Sequence, residues 1–85
     1  MGEWNFNTAE CVRALIKLGF YLKNKRRGDH DKYAVPEVYK RNLPQYHRGF
    51  LMVPRHSELR LQQQIVKELE VIGGKGLVEK FRNCL

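Results

Sequence analysis

The sequence has few cysteines and no long apolar run, and each shortage argues against a class of protein. Its two cysteines, Cys11 and Cys84, are too few and too far apart to suggest a disulfide framework or a zinc site. Each is most simply a small apolar residue. No apolar run approaches the roughly 20 residues of a membrane span, and the segment MGEWNFNTAE lacks the basic and apolar regions of a signal peptide. We therefore expect a cytoplasmic protein without a membrane partner.

Recognisable cofactor and nucleophile patterns are also missing. The sequence contains no glycine-rich phosphate loop, no serine or cysteine triad pattern and no internal repeat. Asp29, His30 and Asp31 are adjacent, but neighbouring side chains of a strand point to opposite faces and do not easily converge on one ion. We therefore expect neither a small-molecule cofactor nor a metal.

Positive charge is what the sequence has in excess. Lysine and arginine total 16 against 9 aspartates and glutamates, which gives a net charge of +7 and a pI near 9.7. This balance favours a polyanionic partner, either a nucleic acid, an anionic membrane surface or an acidic protein. With 85 residues and 42% hydrophobic content, residues 1–85 are predicted to form a single domain around one core.

A first helix is predicted over residues 8–18. Asn7 and Glu10 have the spacing of a capping box, and Gly19 is expected to end the helix in a left-handed conformation. Trp4 and Phe6 are expected at the edge of the core. The predicted apolar face consists of Cys11, Val12, Leu15, Ile16 and Leu18.

Three strands are predicted next. Residues 20–25 alternate, with Phe20 and Leu22 facing inward and a basic, aromatic outer face. Residues 26–29 form a turn and residues 30–35 return as a strand with Tyr33 and Val35 inward, which would put His30 and Lys32 on the outer face with Lys23 and Lys25. Residues 36–48 are predicted to be a long loop, and residues 50–53 a short strand that ends at Pro54.

Ser57 is predicted to cap a second helix that ends at Gly73–Gly74, and residues 76–82 a short C-terminal helix. The second helix has a buried stripe of Leu61, Ile65, Leu69 and Ile72. Because both main helices need an apolar surface, we expect them on one face of the sheet. The predicted fold is a small α+β two-layer sandwich, with a three-stranded antiparallel sheet, of the double-stranded-RNA-binding-domain kind.

The segment KNKRRGDHDKY, residues 23–33, carries the candidate chemistry. His30 follows a glycine turn and a cationic cluster, and an imidazole suits general acid/base catalysis near neutral pH. Cleavage of RNA through its 2′-hydroxyl needs such a group together with cations over the phosphate oxygens. Asp29 or Asp31 is predicted to orient the ring. The alternatives are a solvated histidine and aspartates that make the turn or balance Arg26 and Arg27.

A second phosphate site is predicted at the start of the second helix. There Arg55 and the helix-start amides would bind the phosphate, with His56 as a second proton-transfer group or only a polar residue before a cap. His47 lies in the unpatterned loop and is given no chemical role. Tyr21 and Tyr33 are expected to stack bases between the cations. The predicted RNA-binding residues are Lys23, Lys25, Arg26, Arg27, Lys32, Tyr33 and Arg55.

The sequence resembles the HicA family, the small toxins of bacterial toxin–antitoxin pairs, over nearly its whole length. The resemblance rests on Leu18-Gly19-Phe20 after the first helix, on Gly28-Asp29-His30-Asp31-Lys32-Tyr33, and on Val53-Pro54-Arg55-His56 before the second helix. Asp29 stands where the family usually has serine, and the loop from Pro36 to Arg48 is longer than the family's turn.

The resemblance implies a metal-independent endoribonuclease, an mRNA interferase with a double-stranded-RNA-binding-like fold that a HicB-type antitoxin inhibits. In this resemblance His30 corresponds to the family's catalytic histidine. Two alternatives from other classes are a non-catalytic RNA-binding module and a basic protein-interaction domain with an acidic partner.

Overall fold

The structure is a computed structural model, and it describes residues 4–24, 30–54 and 62–85. Its elements in chain order are α1 (Thr8–Lys17), β1 (Tyr21–Asn24), β2 (His30–Ala34), α2 (Glu37–Lys40), β3 (Phe50–Pro54) and α3 (Gln62–Cys84). The predicted cap at Ser57 and the predicted stripe residue Leu61 lie outside the described residues.

Helix α1 begins and ends as its sequence predicts. The Asn7 side chain accepts a hydrogen bond from the Glu10 amide at 2.8 Å, and the Asn7 amide donates to Glu10 Oε1 at 2.9 Å, which completes a capping box. At the other end Gly19 has φ 100°, and the Phe20 amide donates to the Leu15 carbonyl at 3.0 Å. This is the Schellman arrangement, in which the left-handed residue is nearly always glycine.

The three strands form one antiparallel sheet in the order β1-β2-β3. Tyr33 lies opposite Leu22 in β1 and opposite Leu51 in β3. The register between β1 and β2 shifts between Leu22 and Asn24, which makes Lys23 the extra residue of a bulge. Because β2 lies in the middle of this order, β1 and β3 are the two edges of the sheet.

One hydrophobic core lies between one face of this sheet and the helices. Because Tyr33 and Val35 are both buried, they and the residues opposite them define the inner face, as predicted. The buried members of the core are Phe6, Cys11, Ala14, Leu15, Phe20, Tyr33, Val35, Leu51, Val53, Ile65, Leu69, Ile72, Leu77 and Phe81. Helices α1 and α3 pack against each other and against β3. The coarse α+β prediction is confirmed.

Several details of the predicted core are wrong. Ile16 is 57% exposed, and the small Ala14 takes the buried position on α1 instead. Phe6 is fully inside the core, where its ring meets Phe81 edge to face at 5.3 Å, rather than at the core's edge. Leu22 faces the inner side of the sheet opposite Tyr33, as predicted, but it is exposed because β1 is an edge strand.

The region after β2 is less irregular than predicted. Residues 37–40 form the short helix α2, whose first turn follows Pro36. Helix α3 is interrupted at Gly74, where φ is 72° and ψ is −167°. This interruption confirms the predicted end at Gly73–Gly74, and the last helical segment then runs on to Cys84. None of the helices in the described ranges is long and apolar enough to cross a membrane.

Candidate nucleic-acid interface

Two lysines and one aromatic ring meet on the outer face of the sheet. The Nζ atom of Lys32 lies 4.9 Å from the centre of the Phe50 ring, and that of Lys23 lies 5.5 Å from it. Both distances are within the range of cation–π attraction. Lys23 and Lys32 thus share one face, as the alternation of side chains predicts, although neither strand alone indicates Phe50 as their common neighbour.

The register explains how these side chains come together. Tyr21, Ala34 and Phe50 form one row across the three strands, and Lys32 lies opposite Met52 in the next row. Ala34 is buried but does not belong to the core cluster, since it lies between the larger Tyr21 and Phe50 on the outer face. Tyr21 is 54% exposed and Met52 is exposed as well. We call Tyr21, Lys23, Lys32, Phe50 and Met52 the lysine–aromatic face.

Tyr33 does not belong to this face. It is only 6% exposed and lies in the core, which confirms its predicted inward orientation. A ring in that position has no free surface on which a base could stack, so the prediction that Tyr33 binds RNA is wrong. Phe50 is the aromatic residue that lies beside the cations instead.

His30 is the first residue of β2, and its backbone pairs with Pro54 of β3. It is therefore two residues from Lys32, at the end of the strand next to residues 25–29. Six other predicted site residues lie outside the described ranges, namely Lys25, Arg26, Arg27, Asp29, Arg55 and His56. Their predicted roles stay predictions.

Asp31 lies opposite Val53, on the inner face of the sheet, and is half-buried. Because neighbouring residues of a strand alternate, it is on the other side of β2 from Lys32. The register thus separates Asp31 from the lysine–aromatic face. Its role as the residue that orients His30 remains a prediction, and Asp29 is the other residue predicted for that role.

His47 is held by two polar contacts that the sequence did not indicate. The Gly49 amide donates to His47 Nδ1 at 3.0 Å, and His47 Nε2 lies 3.3 Å from Glu68 Oε1. Since Nδ1 accepts a hydrogen bond, Nε2 carries the hydrogen and donates it to the carboxylate. The His47 side chain is only 5% exposed, and its contact with Glu68 links the segment before β3 to α3.

An open groove of about 670 Å³ lies beside this histidine, between β3 and α3. Phe50 and Met52, which belong to the lysine–aromatic face, are also among the residues that line this groove. Because they belong to both surfaces, the groove and the lysine–aromatic face are continuous. Arg48 and Lys67 line the groove too, so both surfaces carry positive charge. We call it the β3–α3 groove.

The cysteines and acidic residues do not form a second centre in the described parts of the chain. Cys11 is a free, buried thiol, and burial raises its pKa to about 12. Cys84 is also free and packs against the core. No three histidine, cysteine, aspartate or glutamate side chains are grouped closely enough to hold a metal ion within residues 4–24, 30–54 and 62–85.

Comparisons of the chain with protein-family models, with curated proteins and with solved structures found no match.

Proposed function

We propose that this chain binds RNA on the lysine–aromatic face and cleaves it without a metal ion, with His30 as general acid/base. The observation that carries the proposal is the position of two lysine ammonium groups beside one aromatic ring on the sheet face away from the helices. This arrangement can hold a phosphate and a base at the same time.

The two kinds of side chain on this face have complementary functions. Lys23 and Lys32 attract phosphate, and the net charge of +7 favours the approach of any polyanion. Tyr21 offers an exposed ring and Phe50 a half-buried one, and stacking on an aromatic side chain contributes about 1–3 kcal/mol per base. Met52 adds apolar surface beside them. Aromatic rings beside cations are the combination with which proteins bind single-stranded RNA, so we propose RNA as the ligand of this face.

The proposed reaction is transfer of the phosphodiester to the neighbouring 2′-oxygen. A base removes the 2′-hydroxyl proton, the 2′-oxygen attacks phosphorus, and the bond to the 5′-oxygen breaks, leaving a 2′,3′-cyclic phosphate and a 5′-hydroxyl. An acid protonates the departing 5′-oxygen. His30 would take one of these proton transfers and His56 the other, while the lysines stabilise the charge that develops on the phosphate oxygens.

This activity is that of the HicA toxins, and we propose that the chain is a cytoplasmic HicA-like mRNA interferase with a HicB-type antitoxin as its partner. The order of helix, three strands and helix, with both main helices on one sheet face, supports the proposed likeness to the double-stranded-RNA-binding domain. The position of His30 at the start of β2, two residues before Lys32, supports the proposed role of His30.

The decisive experiment compares the parent with His30→Ala on an RNA oligonucleotide in excess chelator. We expect the parent to shorten the RNA and the variant to do so about 10²–10⁴-fold more slowly, which is the range that one general acid/base contributes. RNA affinity should stay within about twofold, because the cations that supply phosphate affinity are unchanged. DNA of the same sequence should resist cleavage because it lacks the attacking 2′-hydroxyl.

The matched control is Lys80→Ala, which changes an exposed residue of α3. This variant should cleave RNA at the parental rate. Undiminished cleavage by His30→Ala would overturn the catalytic assignment. If the parent retards RNA without shortening it, the chain is a non-catalytic RNA-binding module instead.

A further inference from the structure

The edge of β3 presents backbone groups, which differ in chemistry from the side chains of the lysine–aromatic face. The Val35 amide donates to the Gly49 carbonyl at 3.0 Å, so these two residues form a hydrogen-bonded pair of the antiparallel ladder. Pairs of this kind alternate along the ladder. Leu51 and Val53 therefore direct their backbone groups toward β2, whereas Phe50 and Met52 direct their amide and carbonyl groups away from it.

These outward groups have no strand beside them within residues 4–24, 30–54 and 62–85, where β2 is the one neighbour of β3. Phe50 and Met52 also line the β3–α3 groove, which runs alongside this edge. By the same alternation the backbone nitrogen of Pro54 is on the outward side of β3. Proline has no amide hydrogen to donate there, and an edge strand tolerates this loss. As far as the described residues go, the groove thus has a backbone edge with no neighbouring strand on one side and helix α3 on the other.

The two edges of the sheet differ in how well they resist the addition of a strand. β1 carries a lysine at a bulge, and both features discourage pairing with another chain. The five residues of β3, FLMVP, are all apolar, and proline at the end is the single feature that limits pairing. Of the two edges, β3 is therefore the one suited to receive another strand.

We propose that the β3–α3 groove binds an extended acidic peptide segment, which adds to β3 as a fourth antiparallel or parallel strand. Backbone hydrogen bonds to Phe50 and Met52 supply affinity in this mode of recognition, and pockets beside the edge select side chains. The inference does not rest on the proposed cleavage of RNA.

Charge selects an acidic peptide over other occupants. Arg48 and Lys67 line the groove, and the carboxylate of Glu68 is already engaged by His47. A second copy of the chain would bring another +7 to the same place. RNA would meet outward carbonyl groups that repel its phosphates, while a peptide matches both the amides and the carbonyls.

The first test uses a synthetic pool of ten-residue peptides, each with three acidic residues and several β-branched ones, and the full-length protein labelled with ¹⁵N. We expect a selected peptide to slow amide hydrogen exchange of Phe50 and Met52 at least about tenfold. Leu51 and Val53 should change little because their amides already belong to the ladder with β2. Failure of every peptide to bind below about 100 μM, an affinity near −5.5 kcal/mol, overturns the proposal.

The second test changes the ligand and the groove separately. The selected peptide, methylated on its alternate edge-facing amides, should bind at least about tenfold more weakly, since each methyl group removes one hydrogen bond to the strand edge. Lys67→Glu should weaken binding about tenfold, whereas Lys80→Glu, the same change of charge elsewhere on α3, should have about a twofold effect.

Equal binding of the methylated and parent peptides would mean that no strand is added, and the proposal would be wrong. Two other results would also overturn it. One is protection of Phe50 and Met52 by an RNA oligonucleotide but by no peptide. The other is protection that rises with protein concentration without peptide, which would assign the edge to a second copy of this chain.

Discussion

Phe50 is the residue at which the two open surfaces of this protein meet. Its ring lies within 5.5 Å of the ammonium groups of Lys23 and Lys32, and the same residue lines the β3–α3 groove. Its backbone groups, by the alternation of the ladder, face the open edge of β3. A ligand on either surface therefore contacts Phe50, and an RNA and a peptide that both reach this residue should compete.

His47 shows at the residue scale how polar contacts fix the segment before β3. We expect His47→Ala to lower the free energy of unfolding by about 1–3 kcal/mol, because it removes the acceptor for the part-buried Gly49 amide and leaves that amide without a partner. Urea unfolding followed by circular dichroism measures the change.

Glu68→Gln is the matched control for this prediction. It keeps an oxygen that can accept from His47 Nε2 and leaves the Gly49 contact in place, so its cost should be below about 1 kcal/mol. Equal destabilisation by the two substitutions would show that the contact with Glu68, rather than the one with Gly49, holds the histidine.

Some individual residues were predictable from the sequence and others were not. Strand alternation correctly put Lys23 and Lys32 on one face, since that rule needs only neighbours in the chain. Phe50 came to this face through pairing across the sheet, which no local pattern encodes. The same alternation buried Tyr33, and this rules out the base-stacking role that its position among basic residues suggested.

At the element scale, the two glycines on either side of the break in α3 give a sharp comparison. A β-carbon on Gly73 would lie 2.7 Å from Leu77 Cβ and 3.0 Å from Tyr39 Cδ1, whereas one on Gly76 would meet nothing within 4 Å. We expect Gly73→Ala to destabilise the fold by about 1–3 kcal/mol because it overpacks the contact with Leu77 inside α3 and, secondarily, the one with Tyr39 of α2.

Gly76→Ala serves as the control in the same helix. It should stabilise the protein by about 0.4–1 kcal/mol, since alanine reduces the conformational entropy of the unfolded chain without a clash. Thermal unfolding of the two variants side by side checks both signs. A neutral Gly73→Ala would mean that Leu77 and Tyr39 both move easily to make room.

Elements with local end signals were predictable, whereas those fixed by packing were not. The start of α1 follows from the capping box of Asn7 and Glu10, and its end follows from Gly19. The break in α3 follows from Gly73–Gly74 in the same way. Helix α2 has only four residues, too few for an apolar period to appear. The β3–α3 groove depends on the distance between two elements remote in sequence, so no motif could have indicated it.

At the scale of the whole molecule, the fold divides the apolar residues between a buried core and an exposed sheet face. One sheet face and the helices enclose the core, and the other face leaves Tyr21 and Met52 exposed beside the lysines. The excess positive charge comes from the whole sequence, and Lys75 and Lys80 on α3 are exposed as well. The proposed RNA binding could therefore depend on where the lysines lie or only on the net charge, and a test has to compare lysines at different places on the surface.

A pair of double variants with equal net charge answers it. Lys23→Gln with Lys32→Gln should weaken RNA binding and reduce the salt dependence of affinity, because each lost phosphate contact lowers the slope by about 0.7 for a single strand. Lys75→Gln with Lys80→Gln removes the same two charges elsewhere and should leave the slope nearly unchanged. Binding measured by fluorescence anisotropy across a salt series gives both slopes. If the two pairs lose the same amount, RNA responds to net charge alone, and the lysine–aromatic face is not its binding site.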